Sequence, residues 1–446
     1  MFTGNFEKQK FKIMPKIRKS SHFVNLNLNV RGLVQSATLL INERSNELIK
    51  KGVTVYKLGL GQSPFPVPDI IQEALRRNAH QKDYLPVKGL MALREAISEF
   101  NFRRQGIKCS AEDIMIGPGS KELIFILQLV YYGELIIPTP SWVSYSPQAR
   151  IAGRHVTWVP TTEENDWRLS PEKLELICRD DPDRPRVVIL NYPSNPTGST
   201  YPKVRLKKLA EVARKYNIIL ISDEIYGLID HSGEHISIAQ YYPEGTIISS
   251  GLSKWAGAGG WRLGTFTFPE NLRWLQNAMA IVASETYTST SAPIQYAAIT
   301  AFQDHPEIDI YLYHTRRILK MLGNYMANRL KAKNITMPIP KGAFYLFLNF
   351  QFYRDKLASK GIVTSFELCE TLLQETGIAV LPGSDFGRQP EELTCRLAYV
   401  DFDGKMVLNK AMTEYDSTPI DEDFLKKYCS KMLEALDKLE NWLEKL

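Results

Sequence analysis

Between about residues 70 and 310 the chain alternates two textures. Short apolar runs such as "GELIIPTP" (133–140), "RVVILNYP" (186–193), "IILISDE" (218–224) and "GTIISSG" (245–251) are each bounded by turn residues. Stretches with apolar residues at helical spacing separate them, among them "LIFILQLVYY" (123–132) and "VRLKKLAEVARKYN" (204–217). A strand apolar at every position is buried on both faces, and helices between such strands cover those faces. The pattern predicts an α/β domain with a mostly parallel sheet.

The two ends read differently. "SATLLINERSNELIKKG" (36–52) is an amphipathic helix closed by glycine, "FYLFLNF" (344–350) an apolar strand, and "DFLKKYCSKMLEALDKLENWLEKL" (423–446) is apolar at helical spacing. They predict a smaller α+β domain from residues 29–65 and 325–446, set against a large domain of 66–324. Residues 1–28 form an N-terminal arm, and the charge-rich "DFDGKMVLNKAMTEYDSTPIDED" (401–423) reads as an exposed insertion.

Composition narrows the function. Fifty-five Lys and Arg against 49 Asp and Glu leave a formal charge of +6, dispersed after the first twenty positions, too weak for a nucleic-acid binder. The five cysteines are odd in number and widely spaced, with no CxxC pair. Reduced thiols in the cytoplasm and no metal site follow. The longest apolar stretch is broken by Gln128, Gly133 and Glu134, so no membrane span is expected. The basic N-terminus lacks an apolar signal core and reads as a disordered or partner-clasping arm.

Open parallel sheets bind ligands at the carboxyl ends of their strands. Here those ends carry Asn195 in "NYPSNPTG", Asp223 and Tyr226 in "SDEIYG", and Lys254 in "SSGLSKWAGAGGWRLG", with Arg262 eight residues on. "GPGS" opens a helix, so Gly119, Ser120 and backbone N–H groups can receive an anion. Singly, each has a structural explanation: a cap, a packed tyrosine, a turn. Together they suit an aromatic aldehyde with a phosphate arm. An unrelated Rossmann-type nucleotide binder is disfavoured because no GxGxxG follows the first strand. A DNA-binding regulator is disfavoured because the arm has no room for a helix-turn-helix.

Those motifs, with "GIAVLPGSDFG" and "CRLAYV", resemble the class I/II aminotransferases of the aspartate aminotransferase fold, over about residues 34–400. The resemblance implies fold type I, a seven-stranded, mostly parallel sheet with a smaller domain, and pyridoxal phosphate as cofactor. It implies that Lys254 carries the cofactor covalently and shuttles the substrate proton. Asp223 would hold the pyridine nitrogen protonated, Tyr226 and Asn195 would hydrogen-bond the phenolic oxygen, and Trp142 would stack on the ring. Arg262, Gly119, Ser120 and Lys121 would hold the phosphate, and Arg396, with Gly61, the substrate carboxylate. Tyr84 matches a tyrosine that crosses a dimer interface to the phosphate, which implies a homodimer with shared sites.

The chain departs from the pattern at Gly251, where relatives carry a phosphate-binding hydroxyl; Ser250 or Ser253 would replace it. "GLVQSAT" (32–38) lacks the lysine, and "ASETYTSTSAP" (283–293) the arginine, that would bind a second carboxylate. Neutral or aromatic amino acids are therefore expected as donors, with an acceptor such as 2-oxoglutarate in a ping-pong reaction. A lyase or synthase of the same fold is the alternative.

Overall fold

The computed structural model describes residues 25–33, 35 and 37–446, so most of the expected arm lies outside the described residues. The large sheet has seven strands: β1 (Ile114–Gly117), β2 (Glu134–Thr139), β3 (Val156–Pro160), β4 (Arg186–Asn191), β5 (Ile219–Asp223), β6 (Thr246–Gly251) and β7 (Gly264–Thr267). Their order is β1-β7-β6-β5-β4-β2-β3, and only β7 runs against its neighbours.

The apolar runs are explained by burial on both faces. Val187 and Ile189 of β4 join a cluster with Leu123, Ile126 and Leu127 of helix α1 (Ser120–Val130). Val188 and Leu190, one residue out of phase, join the cluster beneath Leu206, Leu209 and Ala213 on the opposite side. Period-two geometry sends consecutive side chains to opposite faces, so both must be apolar.

Register then fixes the functional row. Asn191 of β4 lies opposite Asp223 of β5, and Asp223 opposite Ser249 of β6. On the other side Gly251 lies opposite Gly264, and Gly264 opposite Gly117. A Cβ on Gly264 would overlap the backbone of Ser120, so this glycine row lets the start of α1 settle against the sheet edge.

A second sheet holds β8 (Tyr345–Asn349), β9 (Leu381–Pro382) and β10 (Thr394–Ala398), antiparallel in the order β9-β10-β8. Arg396 sits between Leu381 and Phe347. The 27-residue helix α2 (Pro306–Ala332) packs Leu312, Leu319, Leu322, Met326 and Leu330 into the largest core cluster, together with Tyr345, Leu346 and Leu348 of β8.

One sequence expectation changes. The stretch 401–423 is not an exposed insertion: Gly404–Thr413 is a helix whose Val407, Leu408 and Ala411 are buried. Its apolar residues fall three and four apart, a helical face that the flanking charges obscure. The C-terminal stretch is two helices, Glu422–Tyr428 and Ser430–Glu444, meeting at Cys429. Among the described residues no helix is long and apolar enough to cross a membrane, and no His, Cys, Asp and Glu cluster could hold a metal ion.

Candidate active site

Asp223 ends β5 and is 3% exposed. It accepts a hydrogen bond from the Tyr145 hydroxyl at 2.5 Å and a longer one from Ser249 Oγ at 3.4 Å. Burial pushes its pKa up to about 6, and the Tyr145 hydrogen bond opposes that shift. Asn191, in the neighbouring strand, donates to the Asp223 carbonyl at 2.9 Å and accepts from the Asn195 N–H at 2.8 Å. The turn after β4 is thereby tied to the end of β5.

Lys254 follows β6 in a loop of small residues. Its Nζ donates to the Gly61 carbonyl at 2.7 Å and lies 5.7 Å from the centre of the Tyr226 ring. Burial, then the Arg396 charge, pull its pKa down to about 8. An amine so placed has a far larger neutral fraction near neutral pH than an exposed lysine, and the neutral form can attack a carbonyl.

Arg396 is 1% exposed. One terminal nitrogen donates to Asn195 Oδ1 at 3.1 Å and the other to the Gly59 carbonyl. Its Nε is buried with no partner. A donor fork with an unmet N–H suits a carboxylate.

An anion cup closes the other end. Gly119, at φ +95°, turns the chain into α1, and a Cβ there would run into the Arg262 guanidinium. Arg262, itself left-handed at φ 55°, is held by the carbonyls of Gly259 at 3.0 Å and Pro118 at 3.1 Å. The Lys121 amine lies 5.4 Å from the centre of the Trp142 ring; burial and then Arg262 lower its pKa. Two cations and the free N–H groups of a helix start are an anion site.

One cavity of about 470 Å³ takes in Gly61, Gly119, Ser120, Lys121, Trp142 and Asn195. The same cavity holds Asp223, Tyr226, Lys254, Arg262 and Arg396. Of the expected residues only Tyr84 stands outside it, and its side chain is 88% exposed. The cavity adds Tyr145, Asn191 and Tyr345, to which the sequence reading gave no site role, and of the two hydroxyls expected to replace the one missing at Gly251 it takes in Ser253 and not Ser250. Tyr145 follows Trp142 by three residues with no chemical signal of its own, and Tyr345 was hidden in an apolar strand.

The residues present fit pyridoxal phosphate. The cup suits its phosphate, the buried carboxylate its pyridinium and the depressed lysine its aldehyde, while the unmet Arg396 Nε leaves a place for a substrate. The comparisons agree. The family profile "Aminotransferase class I and II" matches residues 53–401. The chain is 35% identical over 380 residues to an aspartate aminotransferase of Geobacillus stearothermophilus, covering 83% of this chain and 93% of that protein. It is 32% identical to an asparagine–oxo-acid transaminase of Streptococcus mutans, covering 84% of this chain and 94% of the relative. Among solved structures, aspartate aminotransferase from Thermus thermophilus with maleate superimposes with a TM-score of 0.78 at 28% identity, over 94% of this chain and all of that one. The chain belongs to the class I and II aminotransferases, and is a pyridoxal-phosphate-dependent transaminase of fold type I.

Proposed function

We propose that this aminotransferase draws its amino group from neutral or aromatic L-amino acids and passes it to 2-oxoglutarate in two half-reactions at one site. The observation that carries the reading is the cavity's division of labour. Its four cations are Lys121, Lys254, Arg262 and Arg396, and the space between them is walled by Leu39, Leu60, Trp142, Val143, Ile225 and Tyr345. Apolar and aromatic walls favour an apolar side chain.

When bound, pyridoxal phosphate supplies a conjugated electron sink for negative charge at the substrate Cα. The protein's own residues do the rest. Arg396 holds the α-carboxylate with Nε and a terminal nitrogen, backed by Asn195 and the Gly61 backbone. Lys254 Nζ, once free, would take the Cα proton and deliver it beyond the amino nitrogen, to the carbon that was the cofactor's aldehyde. The Asp223 carboxylate keeps the pyridine N–H protonated, and Tyr145 keeps that carboxylate ionised and aimed. Tyr226 and Asn195 donate to the phenolic oxygen, and Trp142 covers one ring face. Arg262, Gly119, Ser120 and Lys121 bind the phosphate. Tyr84 completes that cup in a second copy of the chain, which makes the working unit a homodimer. The five unpaired cysteines support a cytoplasmic setting.

A second reading is favoured by one feature. Lys121 faces the cavity beside the Trp142 ring and near the Arg262 charge, and the relatives quoted above are named for aspartate and asparagine. A donor's distal carboxylate would pair with that amine. Twenty amino acids tested against 2-oxoglutarate separate the two. Phenylalanine, tyrosine or leucine should match or exceed aspartate in kcat/KM. A strong preference for aspartate that collapses in Lys121→Gln would replace the first reading with the second.

A further inference from the structure

Tyr345 occupies a junction that the roles above leave unexplained. It lies on β8, is 1% exposed, and has three functional neighbours. Its ring lies 4.8 Å from the Arg396 guanidinium carbon. Its hydroxyl oxygen is 2.7 Å from that of Tyr226. A Cβ on Gly61, whose carbonyl holds the Lys254 amine, would overlap the same hydroxyl. A residue that merely filled space would not require a hydroxyl at the one point where these three groups meet.

We propose that Tyr345 is a positioning residue that links the carboxylate clamp to Tyr226: its ring seats Arg396, and its hydroxyl donates to the Tyr226 oxygen. The proposal rests on the roles given above to Arg396 and Tyr226.

The direction of the hydrogen bond follows from charge. Either oxygen can donate; burial raises the pKa of both hydroxyls and Arg396 opposes it at both. The guanidinium stands over the Tyr345 ring and opposes burial most there, which leaves Tyr345 the more acidic of the two. The better acid is the better donor. Tyr226 then keeps its own proton for an acceptor in the cavity, and a donor already accepting a hydrogen bond is strengthened by polarisation. The other charged or titratable groups around the pair are Lys254, Asp223, Asp385 and Tyr399. Of these only Lys254 adds positive charge, and it stands over the Tyr226 ring.

The ring and the hydroxyl therefore have separable effects. A carboxylate on Arg396 neutralises the cation that polarises Tyr345, weakens Tyr345 as a donor, and so weakens Tyr226 as a donor to the cofactor's phenolic oxygen. Binding of the substrate carboxylate is reported to the cofactor through one hydroxyl.

The experiment titrates the visible absorption of the loaded enzyme against pH, with and without saturating succinate, which has a carboxylate but no amino group. In the wild type succinate raises the midpoint. Tyr345→Phe keeps the ring and loses the hydroxyl. Its midpoint should already be raised, succinate should move it less than half as far, and kcat should fall roughly fivefold with KM within about twofold. Tyr345→Leu loses the ring as well, and KM for the amino donor should rise about tenfold. A Tyr345→Phe midpoint equal to wild type overturns the proposal, as does a Phe variant indistinguishable from the Leu variant. Arg396→Lys and Tyr226→Phe run alongside. If neither moves KM or the midpoint, the roles given to them fail; if both do and Tyr345→Phe does not, only the linkage fails.

Discussion

Lys254 and Asp223 are both driven toward neutrality by burial, but with opposite consequences. The lysine's folded pKa, near 8, lies below its unfolded value, so the neutral amine is available well before pH 10.5. The rate at which the cofactor-free protein takes up pyridoxal phosphate, followed by the growth of visible absorption, should rise through pH 8 and level above it. A rate still climbing past pH 10 would contradict the burial argument. Asp223 has a folded pKa near 6, above its unfolded value. Between those values the folded state holds more protons, so this group's contribution to the stability of the cofactor-free protein is greatest below the unfolded pKa and is lost as pH rises through 6. Bound pyridinium should reverse that cost. Asp223→Ala should lower kcat by about a hundredfold or more while the protein remains folded. Circular dichroism and single-turnover kinetics check both halves of that expectation. Tyr145→Phe should give a smaller loss, roughly five- to tenfold, since one neutral donor to a carboxylate is removed and the carboxylate stays.

Strands and helices carry the next level. The strand ends were legible because buried parallel strands are short, apolar and bounded by turns, and because Asp223 and Lys254 follow such runs directly. The glycine row across β1, β7 and β6 was not. Gly117, Gly264 and Gly251 are far apart in sequence and become neighbours only through register, which no local pattern reports. Tyr345 was missed for a related reason. In an apolar strand every side chain looks like core, and only the neighbouring strand of Arg396 shows which one faces a ligand. The amphipathic helix at Gly404–Thr413 was missed because lysines and acids flank its buried face. The row has a measurable consequence: Gly264→Ala must push the start of α1 off the sheet. It should lose about 1–3 kcal/mol in urea unfolding and, unlike an ordinary core substitution, weaken retention of pyridoxal phosphate as well. Normal cofactor affinity in a destabilised Gly264→Ala protein would mean that the cup does not depend on that contact.

At the scale of the whole molecule, Tyr84 is the expected site residue that one chain does not deliver to its own cavity. If a second copy supplies it, two damaged chains should repair each other. Lys254→Ala and Tyr84→Ala, co-expressed, form mixed dimers in which one site has an intact lysine and receives an intact tyrosine from across the interface. Random pairing then restores roughly a quarter of wild-type sites, although each variant alone is inactive or weak. Mixed preparations no better than the sum of their parts would remove Tyr84 from the site. The cavity's walls carry a different lesson, because they run from Leu39 to Arg396. The residues that hold the cofactor, Gly119 to Arg262, leave the ribosome well before Arg396, so a growing chain presents the parts of a cofactor site before it has the clamp that selects a substrate.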